Sequence, residues 1–409
     1  VARGIYREAQ EAETEGARKA LASWAVQSEN RNRQQSMLEL AKGIPDLVAE
    51  ACELDADIWA LNTLSGIVDL RTGELRPHKP EEMHTKLAPV LYDPDATSER
   101  FDSFLHKIFN GDAELQKYVQ RLVGVFLSGD ISEQIFPVFW GSGANGKSVL
   151  MDIVLHVMGD YAAIAPESLV TADHHREHPT EIADLQGRRF VAATETEEGK
   201  KLRVGLVKRM TGDATLKGRY MRQDYFEFQR THKTALVTNH RPGVSETKNA
   251  IWRRLHLVPF TVTIPLDQQD KQLFDKLKVE ASAVLAWAVR GCMDWREHGL
   301  NPPAIVRQAT EDYRSEADPL GDFLGDCCVV SGDEAHTATR KDIRTRYVQW
   351  AKELGDRDPL PAQGLYDRLR ELQDVQEGYV TAPDGKRSRG FRGLYIHHAP
   401  TGDYADVAD

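Results

Sequence analysis

The eight residues Gly141-Ser142-Gly143-Ala144-Asn145-Gly146-Lys147-Ser148 carry glycine, lysine and a hydroxyl at the spacing G-x-x-x-x-G-K-S. Glycines at such positions allow the dihedrals and the close backbone approach that wrap amides around phosphates. A cradle running from Gly141 through Val149 would place the anion on the positive end of a following helix. Lys147 would then reach the β- and γ-phosphates of ATP, and the Ser148 hydroxyl would ligate the Mg²⁺ that arrives with the nucleotide.

Hydrolysis asks for more than a cradle. One acid must help hold the metal and a carboxylate must orient or deprotonate water, usually at the end of a neighbouring strand. Glu195 and Glu197, with Glu198 as a third candidate, follow the apolar run 190–194 and can fill those roles, Glu195 beside Ser148 at the metal. Asn239, ending the run "KTALVTN", has the polar side chain needed to sense a γ-phosphate. Arg253 and Arg254 in "IWRRL" can stabilise transition-state charge, either in the same protomer or across a subunit boundary.

The elements that must position these groups can be read from hydrophobic period. Phe136, Val138, Phe139 and Trp140 form a short apolar run ending at Gly141; Val149, Leu150, Ile153, Val154 and Val157 then recur at helical spacing until Gly159. Strand, loop and helix are expected in that order. Further strands are expected over 188–195, 225–230, 233–239 and 254–264, and their alternation with helical stretches implies an α/β layered sheet. Upstream, Ile67, Val68 and Leu70 lead into Arg71-Thr72-Gly73-Glu74, which has the composition of a hairpin turn.

Composition sets outer bounds. The chain has 409 residues, of which 41% are hydrophobic and 28% charged, ordinary values for a chain of two or three globular domains. No apolar run approaches the ~18 residues of a membrane span, and the amino-terminal VARGIYREAQEAE is unlike a signal peptide, so a cytoplasmic protein with no membrane partner is expected. Cys52, Cys292, Cys327 and Cys328 lack metal-ligand spacing and read as reduced thiols. A net charge of −11 argues against indiscriminate coating of nucleic acid but leaves room for a local basic patch.

Three regions are expected: a mostly helical region over 1–125, an ATPase core over 126–300, and a tail over 301–409 that opens on "NPPAI" and contains the Gly/Arg-rich "DGKRSRGFRGLYIHH". Taken together, "GSGANGKS", "ATETEEGKKL", "MTGDATLKGRYMRQDYFEFQRTHKTALVTNHRP" and "IWRRLHLVPF" resemble, in order and spacing, the superfamily 3 helicases of the phage and plasmid primase-helicase branch, related to the poxvirus primase-helicase. The resemblance implies an AAA+-like P-loop ATPase with an amino-terminal helicase-associated domain and a carboxy-terminal winged-helix-like domain. It implies a hexameric ring that translocates on single-stranded or forked DNA during replication, typically 3′ to 5′, with a primase fused or separate. Lys147 and Ser148 match its Walker A residues, Glu195 and Glu197 its Walker B acids, Asn239 its sensor, and Arg253 or Arg254 its trans-acting finger. Relatives often place the two acids side by side, whereas here Thr196 separates Glu195 from Glu197 and Glu197-Glu198 is the adjacent pair. Because residue 1 is Val and helical sequence begins at once, the chain reads as a segment of a longer primase-helicase, phage- or plasmid-borne.

Residues 200–222 hold Lys200, Lys201, Arg203, Lys208, Arg209, Lys217, Arg219 and Arg222 against Asp213 alone. "ATLKGRYM" and "YFEFQRT" have strand-like content and are expected to pair as a hairpin with Arg222 at its tip. In the resembling family this hairpin lines the ring channel. Lys217, Arg219 and Arg222 would supply phosphate contacts and Tyr220 a stacking face, an arrangement suited to binding without sequence preference.

His174, His175 and His178 in "DHHREHP" have no fourth ligand in sight and read as a polar loop. Trp287, Trp295 and Trp350 lie in apolar helical contexts and read as core. A replication initiator that binds DNA under ATP control without unwinding shares every motif with a helicase; a P-loop kinase would need an acceptor pocket and lid arginines, and no block supplies them.

Overall fold

The computed structural model describes residues 2–172, 179–194, 200–244, 249–317, 319–353, 359–382 and 385–397. It begins with three helices, α1 (Ala2–Glu11), α2 (Glu15–Ser28) and α3 (Arg31–Ala41). A small antiparallel sheet follows, made of β1 (Ala60–Thr63), β2 (Gly66–Asp69) and β3 (Leu75–Arg76) in that order. The turn expected at Arg71 to Glu74 joins its last two strands, with Gly73 N–H and Thr72 N–H both given to Asp69 O. Helices α4 (Glu99–Ile108) and α5 (Ala113–Leu127) lead into the centre, each started by a side-chain cap, Ser98 and Asp112, that accepts an otherwise unpaired amide.

The centre is a five-stranded sheet built from β4 (Phe136–Trp140), β5 (Ala162–Ala165), β7 (Phe190–Thr194), β11 (Lys233–Thr238) and β12 (Leu255–Pro259), in the spatial order β12-β4-β11-β7-β5 and parallel throughout. Between these lie α6 (Lys147–Met158), the short β6 (Thr171–Ala172), α7 (Pro179–Ala183), β8 (Lys201–Leu202), α8 (Val204–Gly212), the antiparallel pair β9 (Thr215–Gly218) and β10 (Phe226–Gln229), and α9 (Asn249–Trp252). After β12 come α10 (Leu273–Val279), α11 (Ala281–His298) and α12 (Ala304–Glu316).

Both faces of this sheet are covered, so its strands are near-continuous apolar runs. Alternate residues feed two cores. Phe139, Phe190, Ala192, Ala235, Val237 and Val258 face the core shared with α4, α5, α6 and α11. Phe136, Val138, Val191, Ala193, Leu236 and Leu257 face the core shared with α8, β9, β10 and α12. The strand expected over 254–264 is observed only as β12, Leu255–Pro259. The ladder continues only to Phe260 N–H on Trp140 O; the chain then crosses the phosphate loop, giving Ile264 N–H to Ala144 O.

Helix α5 lies against α11 through two glycines. A methyl at Gly124 would collide with the Cys292 backbone and one at Gly291 with Gln120 O, so the two backbones approach as closely as glycine allows. At its end, α5 is fastened to the sheet by cations: Arg189 gives one guanidinium N–H to Leu127 O at 2.9 Å and another to Ala60 O at 2.8 Å, and the buried Lys233 ammonium donates to Ser128 O. Carbonyls at a helix carboxyl end are where positive charge is favoured. Burial pushes both groups below their ordinary pKa.

A third core is made by residues between Leu320 and Leu394, among them Phe323, Tyr347, Trp350, Leu365 and Phe391. Its elements are α13 (Pro319–Cys327), β13 (Cys328–Val330), β14 (Thr337–Thr339), α14 (Arg340–Glu353), α15 (Ala362–Leu369), β15 (Gln376–Thr381), β16 (Arg387–Arg392) and β17 (Leu394–Ile396). Strands β14, β16 and β15 form one antiparallel sheet in that order, and β13 pairs with β17. Trp287, Trp295 and Trp350 are buried, as their spacing implies. Among the described residues no helix is long and apolar enough to cross a membrane.

Candidate nucleotide and nucleic-acid site

The strand order reverses beside β4, since β5, the next strand of the sheet in sequence, lies beyond β11 and β7. Ligands of open α/β sheets bind at the carboxyl ends of strands where such a reversal opens a crevice. The glycine-rich loop is there. Gly143, Ala144 and Gly146 hold φ of 100°, 49° and 80°, values that let the chain coil back on itself. A side chain at Gly141 would collide with Phe260 O and one at Gly146 with Ile108, so neighbours require glycine at both positions, and at Gly146 the dihedral does too.

Asn145, 3% exposed, braces the loop from inside: its Nδ2 donates to Phe260 O at 3.3 Å and its Oδ1 accepts Lys147 N–H at 3.3 Å. The motif alone makes it one cradle residue among several. Its buried side-chain amide props the loop from inside. Ser142 and Ala144 are exposed and Val149 is half-buried in the first turn of α6.

Lys147 is 4% exposed, and its Nζ donates to Gly141 O at 2.8 Å and to Asn239 Oδ1 at 2.9 Å. Burial lowers its pKa, which a polyanion beside it would reverse. Asn239 follows directly on β11, hydrogen-bonded neighbour of β4, which explains how residues 92 positions apart meet. The Ser148 residue is exposed at the start of α6, a position open to a metal carried in on phosphate oxygens. Glu195, Glu197 and Glu198 lie outside the described residues, as do His174, His175 and His178. Strand β7 ends at Thr194, one residue before Glu195, and registers with Val237 near the end of β11. Among the described residues no group of three His, Cys, Asp or Glu side chains is arranged to hold a metal ion.

The two arginines part company. Arg253 is exposed, whereas Arg254 is 7% exposed and committed: Nε donates to Thr211 Oγ1 at 3.0 Å, and the terminal nitrogens donate to Ala250 O and, at 3.3 Å, to Gln134 Oε1. Both sit at the amino end of β12, where Arg254 O accepts Phe136 N–H. Five strand residues separate that edge from the phosphate loop, roughly 16 Å. Neither can therefore serve the loop of its own chain from this position.

The β9–β10 pair forms the expected hairpin, with Gly218 opposite Phe226 and Leu216 opposite Phe228. Leu216 and Phe228 are buried, and Gly218 packs so tightly on Ala183 that a methyl would collide. Thr180 Oγ1 donates to Arg219 O at 3.2 Å, so α7 braces the base. At the tip Gln223 N–H donates to Tyr220 O, and Arg222 takes the left-handed conformation with φ of 62°. Arg222 and Arg219 are exposed; Lys217 is exposed opposite Glu227.

Tyr220 stacks on Phe226 at 5.6 Å and gives its hydroxyl to Ala183 O, leaving it 37% exposed. Tyr225 is the more open ring, 51% exposed, with Arg219 4.7 Å from its centroid. No motif marks Tyr225 in the sequence; its place opposite the cationic strand is the available signal. The hairpin returns into β11 at its amino end, so β11 joins the hairpin at one end to Asn239 at the other.

Comparison with known proteins agrees with the motifs. Residues 1–110 match the family described as D5 N terminal like, and residues 139–254 match a family of unknown function, DUF5906. The chain is 27% identical over 322 residues to a protein of Acanthamoeba polyphaga mimivirus named as a candidate helicase, L207/L206, covering 73% of this chain and 33% of the relative. It is 25% identical over 324 residues to a protein of African swine fever virus (strain Badajoz 1971 Vero-adapted) named as a candidate primase, C962R, covering 73% and 34%. This chain thus spans about a third of the length of these viral relatives. Among solved structures, the A form apo structure of the NrS-1 C terminal region matches with a TM-score of 0.47 at 12% identity, over 83% of this chain and 96% of that one.

Proposed function

We propose that this chain, which belongs to the primase-helicase family, is an ATP-driven motor that moves single-stranded DNA and separates forked duplexes. The observation that carries the reading is the contact of Lys147 Nζ with Asn239 Oδ1 at 2.9 Å beneath a loop that has no room for a side chain at Gly141 or Gly146. A lysine held ready for phosphate and an amide at the same point are the parts a γ-phosphate needs to be bound and sensed.

ATP would lie along residues 141–149, with Lys147 at its β- and γ-phosphates. Ser148, exposed at the start of α6, would ligate Mg²⁺, and Glu195 or Glu197, which follow β7 in the sequence, would supply the acidic ligand. When bound, the metal would neutralise charge on the phosphate oxygens. Asn239 would hold the γ-phosphate or the attacking water, and one of the glutamates would take the water's proton.

Because the finger edge and the phosphate edge are opposite ends of the same strands, Arg253 acts on the nucleotide of an adjacent subunit, and a closed ring, hexameric in the AAA+-like arrangement, supplies that neighbour. The β9–β10 hairpin grips the DNA backbone through Arg219 and Arg222, with Lys217 in support and Tyr225 or Tyr220 against a base. A change at Asn239 on hydrolysis travels down β11 to the hairpin. The carboxy-terminal elements α13 to β17 act as a winged-helix-like domain, and a primase, on the same or a separate polypeptide, supplies primers.

The test is strand displacement from a labelled fork with ATP and Mg²⁺. Unwinding by the parent protein and none by Lys147→Ala supports the reading; ATP hydrolysis without displacement would favour an initiator.

A further inference from the structure

Helix α12 lies along β12, an edge strand of the central sheet, and covers it. Thr310 Oγ1 accepts Leu257 N–H at 3.0 Å, and Val306 and Tyr313 are buried against the strand side. That much is ordinary cover for a sheet edge. Its last turn does something else.

Side chains of that turn reach the segment between Asn239 and Arg253. The Tyr313 hydroxyl donates to Pro242 O. Glu316 pairs with Arg241 at 2.8 Å, and the Arg241 guanidinium lies 4.6 Å above the ring of Trp140, the residue that ends β4 and precedes the phosphate loop. Arg314 donates to Asn249 Oδ1 at 2.7 Å, at the start of the short helix α9 that delivers Arg253. The Tyr313 ring also meets Trp252 edge-on at 5.3 Å.

The described parts of this segment, 239–244 and 249–253, have little regular structure of their own. After β11, Thr238 Oγ1 donates to His240 O at 2.7 Å; Arg241 and Pro242 then pass outside the sheet, and α9 has only four residues. Yet it carries both proposed nucleotide-facing groups, Asn239 at one end and Arg253 at the other. A side chain on such a segment points reproducibly only if other residues fix the backbone.

We propose that Tyr313, Arg314 and Glu316 form a positioning clamp that sets Asn239 toward the γ-phosphate and Arg253 toward the neighbouring subunit. This rests on the assignment of Lys147 and Asn239 to ATP. None of the three touches the nucleotide. They act through Arg241, Pro242 and Asn249. Since α12 leads directly to the elements forming the third core, the clamp also ties that carboxy-terminal unit to the nucleotide site.

The experiment is a mutant cycle read by nucleotide discrimination. Affinities for ATP and ADP, and kcat and KM for hydrolysis, are measured for the parent, Asn239→Ala, Tyr313→Phe, Glu316→Gln and the double variant Asn239→Ala with Tyr313→Phe. Tyr313→Phe keeps the packing and removes one hydroxyl, and a single hydrogen bond is worth about tenfold at most. The clamp predicts that Tyr313→Phe and Glu316→Gln each lower kcat by about threefold to tenfold. Preference for ATP over ADP should fall alongside, while ADP affinity is retained. The double variant should be no worse than Asn239→Ala alone, since groups acting through one another are not additive. If Asn239→Ala abolishes the ATP preference but both clamp variants keep the parental kcat and preference, the clamp is wrong while the nucleotide site stands. If neither the parent nor any variant distinguishes ATP from ADP, the nucleotide assignment itself fails, and the clamp with it.

Discussion

Lys147 Nζ and Asn239 Oδ1 stand 2.9 Å apart, joined across two neighbouring parallel strands, β4 and β11, that end at the same sheet edge. The contact ties the lysine of the glycine-rich loop to the amide at the end of β11. Lys147→Ala should abolish ATP hydrolysis and lower ATP affinity by more than about tenfold. The fold should survive with a loss of stability of about 1 kcal/mol, since Gly141 O and Asn239 Oδ1 each lose a donor. Asn239→Ala should lower kcat and the preference for ATP over ADP while sparing ADP binding. Single-turnover hydrolysis beside a melting curve checks both; wild-type turnover by Lys147→Ala at an unchanged Tm would remove the loop from the mechanism.

Arg253 and Arg254 should fail in different ways. Arg254→Ala leaves the Thr211, Gln134 and Ala250 groups without their partner and should destabilise the protein by about 2 kcal/mol. Arg253→Ala should leave stability within about 0.5 kcal/mol and stop hydrolysis in the assembly. Mixing Arg253→Ala with Lys147→Ala subunits should restore part of the activity, because some interfaces regain one intact lysine and one intact arginine. Mixed assemblies with no recovery at any ratio would count against a shared site.

Arg222 holds a left-handed φ of 62° at the hairpin tip, a conformation glycine takes without the cost a Cβ brings. Arg222→Gly should therefore leave stability unchanged or raise it by up to about 1 kcal/mol while weakening single-strand binding. The salt dependence of that binding should become shallower by less than about one unit of slope for each arginine–phosphate pairing removed per protomer. A binding loss that tracks a loss of stability would mean Arg222 is structural.

Two histidines set a pH response. Burial pushes His232 down to about 3 and His256 to about 4, and neither ring nitrogen of His232 has a hydrogen-bond partner among the described residues. His256 shares a 2.7 Å hydrogen bond with the Tyr118 hydroxyl. Below pH ~6.5 the unfolded chain takes up protons on both residues that the folded protein refuses. Stability is thus fully present above pH ~6.5 and falls as the pH drops toward 4, by at most about 1.4 kcal/mol per pH unit for each histidine. Urea midpoints at pH 7 and 5 for the parent and His256→Asn measure this; the variant should lose roughly half of these histidines' share of the slope. An identical slope would show that His256 titrates normally in the fold.

How far the sequence is legible differs from residue to residue. The phosphate loop can be read because its chemistry demands particular residue types at fixed spacing, and β4, α6, β11 and the β9–β10 hairpin follow from period and turn composition. Which of Arg253 and Arg254 is free cannot be read, because burial there depends on α8 and Gln134, distant in the chain. The expected end of β12 overruns the observed one because the run to Ile264 stays apolar after leaving the ladder, to lie across the loop. Asn145, Arg241 and Tyr313 carry no local signal of their roles, which come from Phe260, Glu316 and Pro242, brought near only by packing.

Whether energy released at Lys147 moves DNA held by the hairpin is decided by measuring single-strand-stimulated ATPase and fork unwinding together, in the parent and in Arg219→Ala with Arg222→Ala. If the two are coupled, the double variant keeps basal ATPase within about twofold, since the hairpin joins β11 at the end away from the phosphates. It should lose DNA stimulation and unwinding together. A double variant that unwinds forks at the parental rate would contradict the coupling.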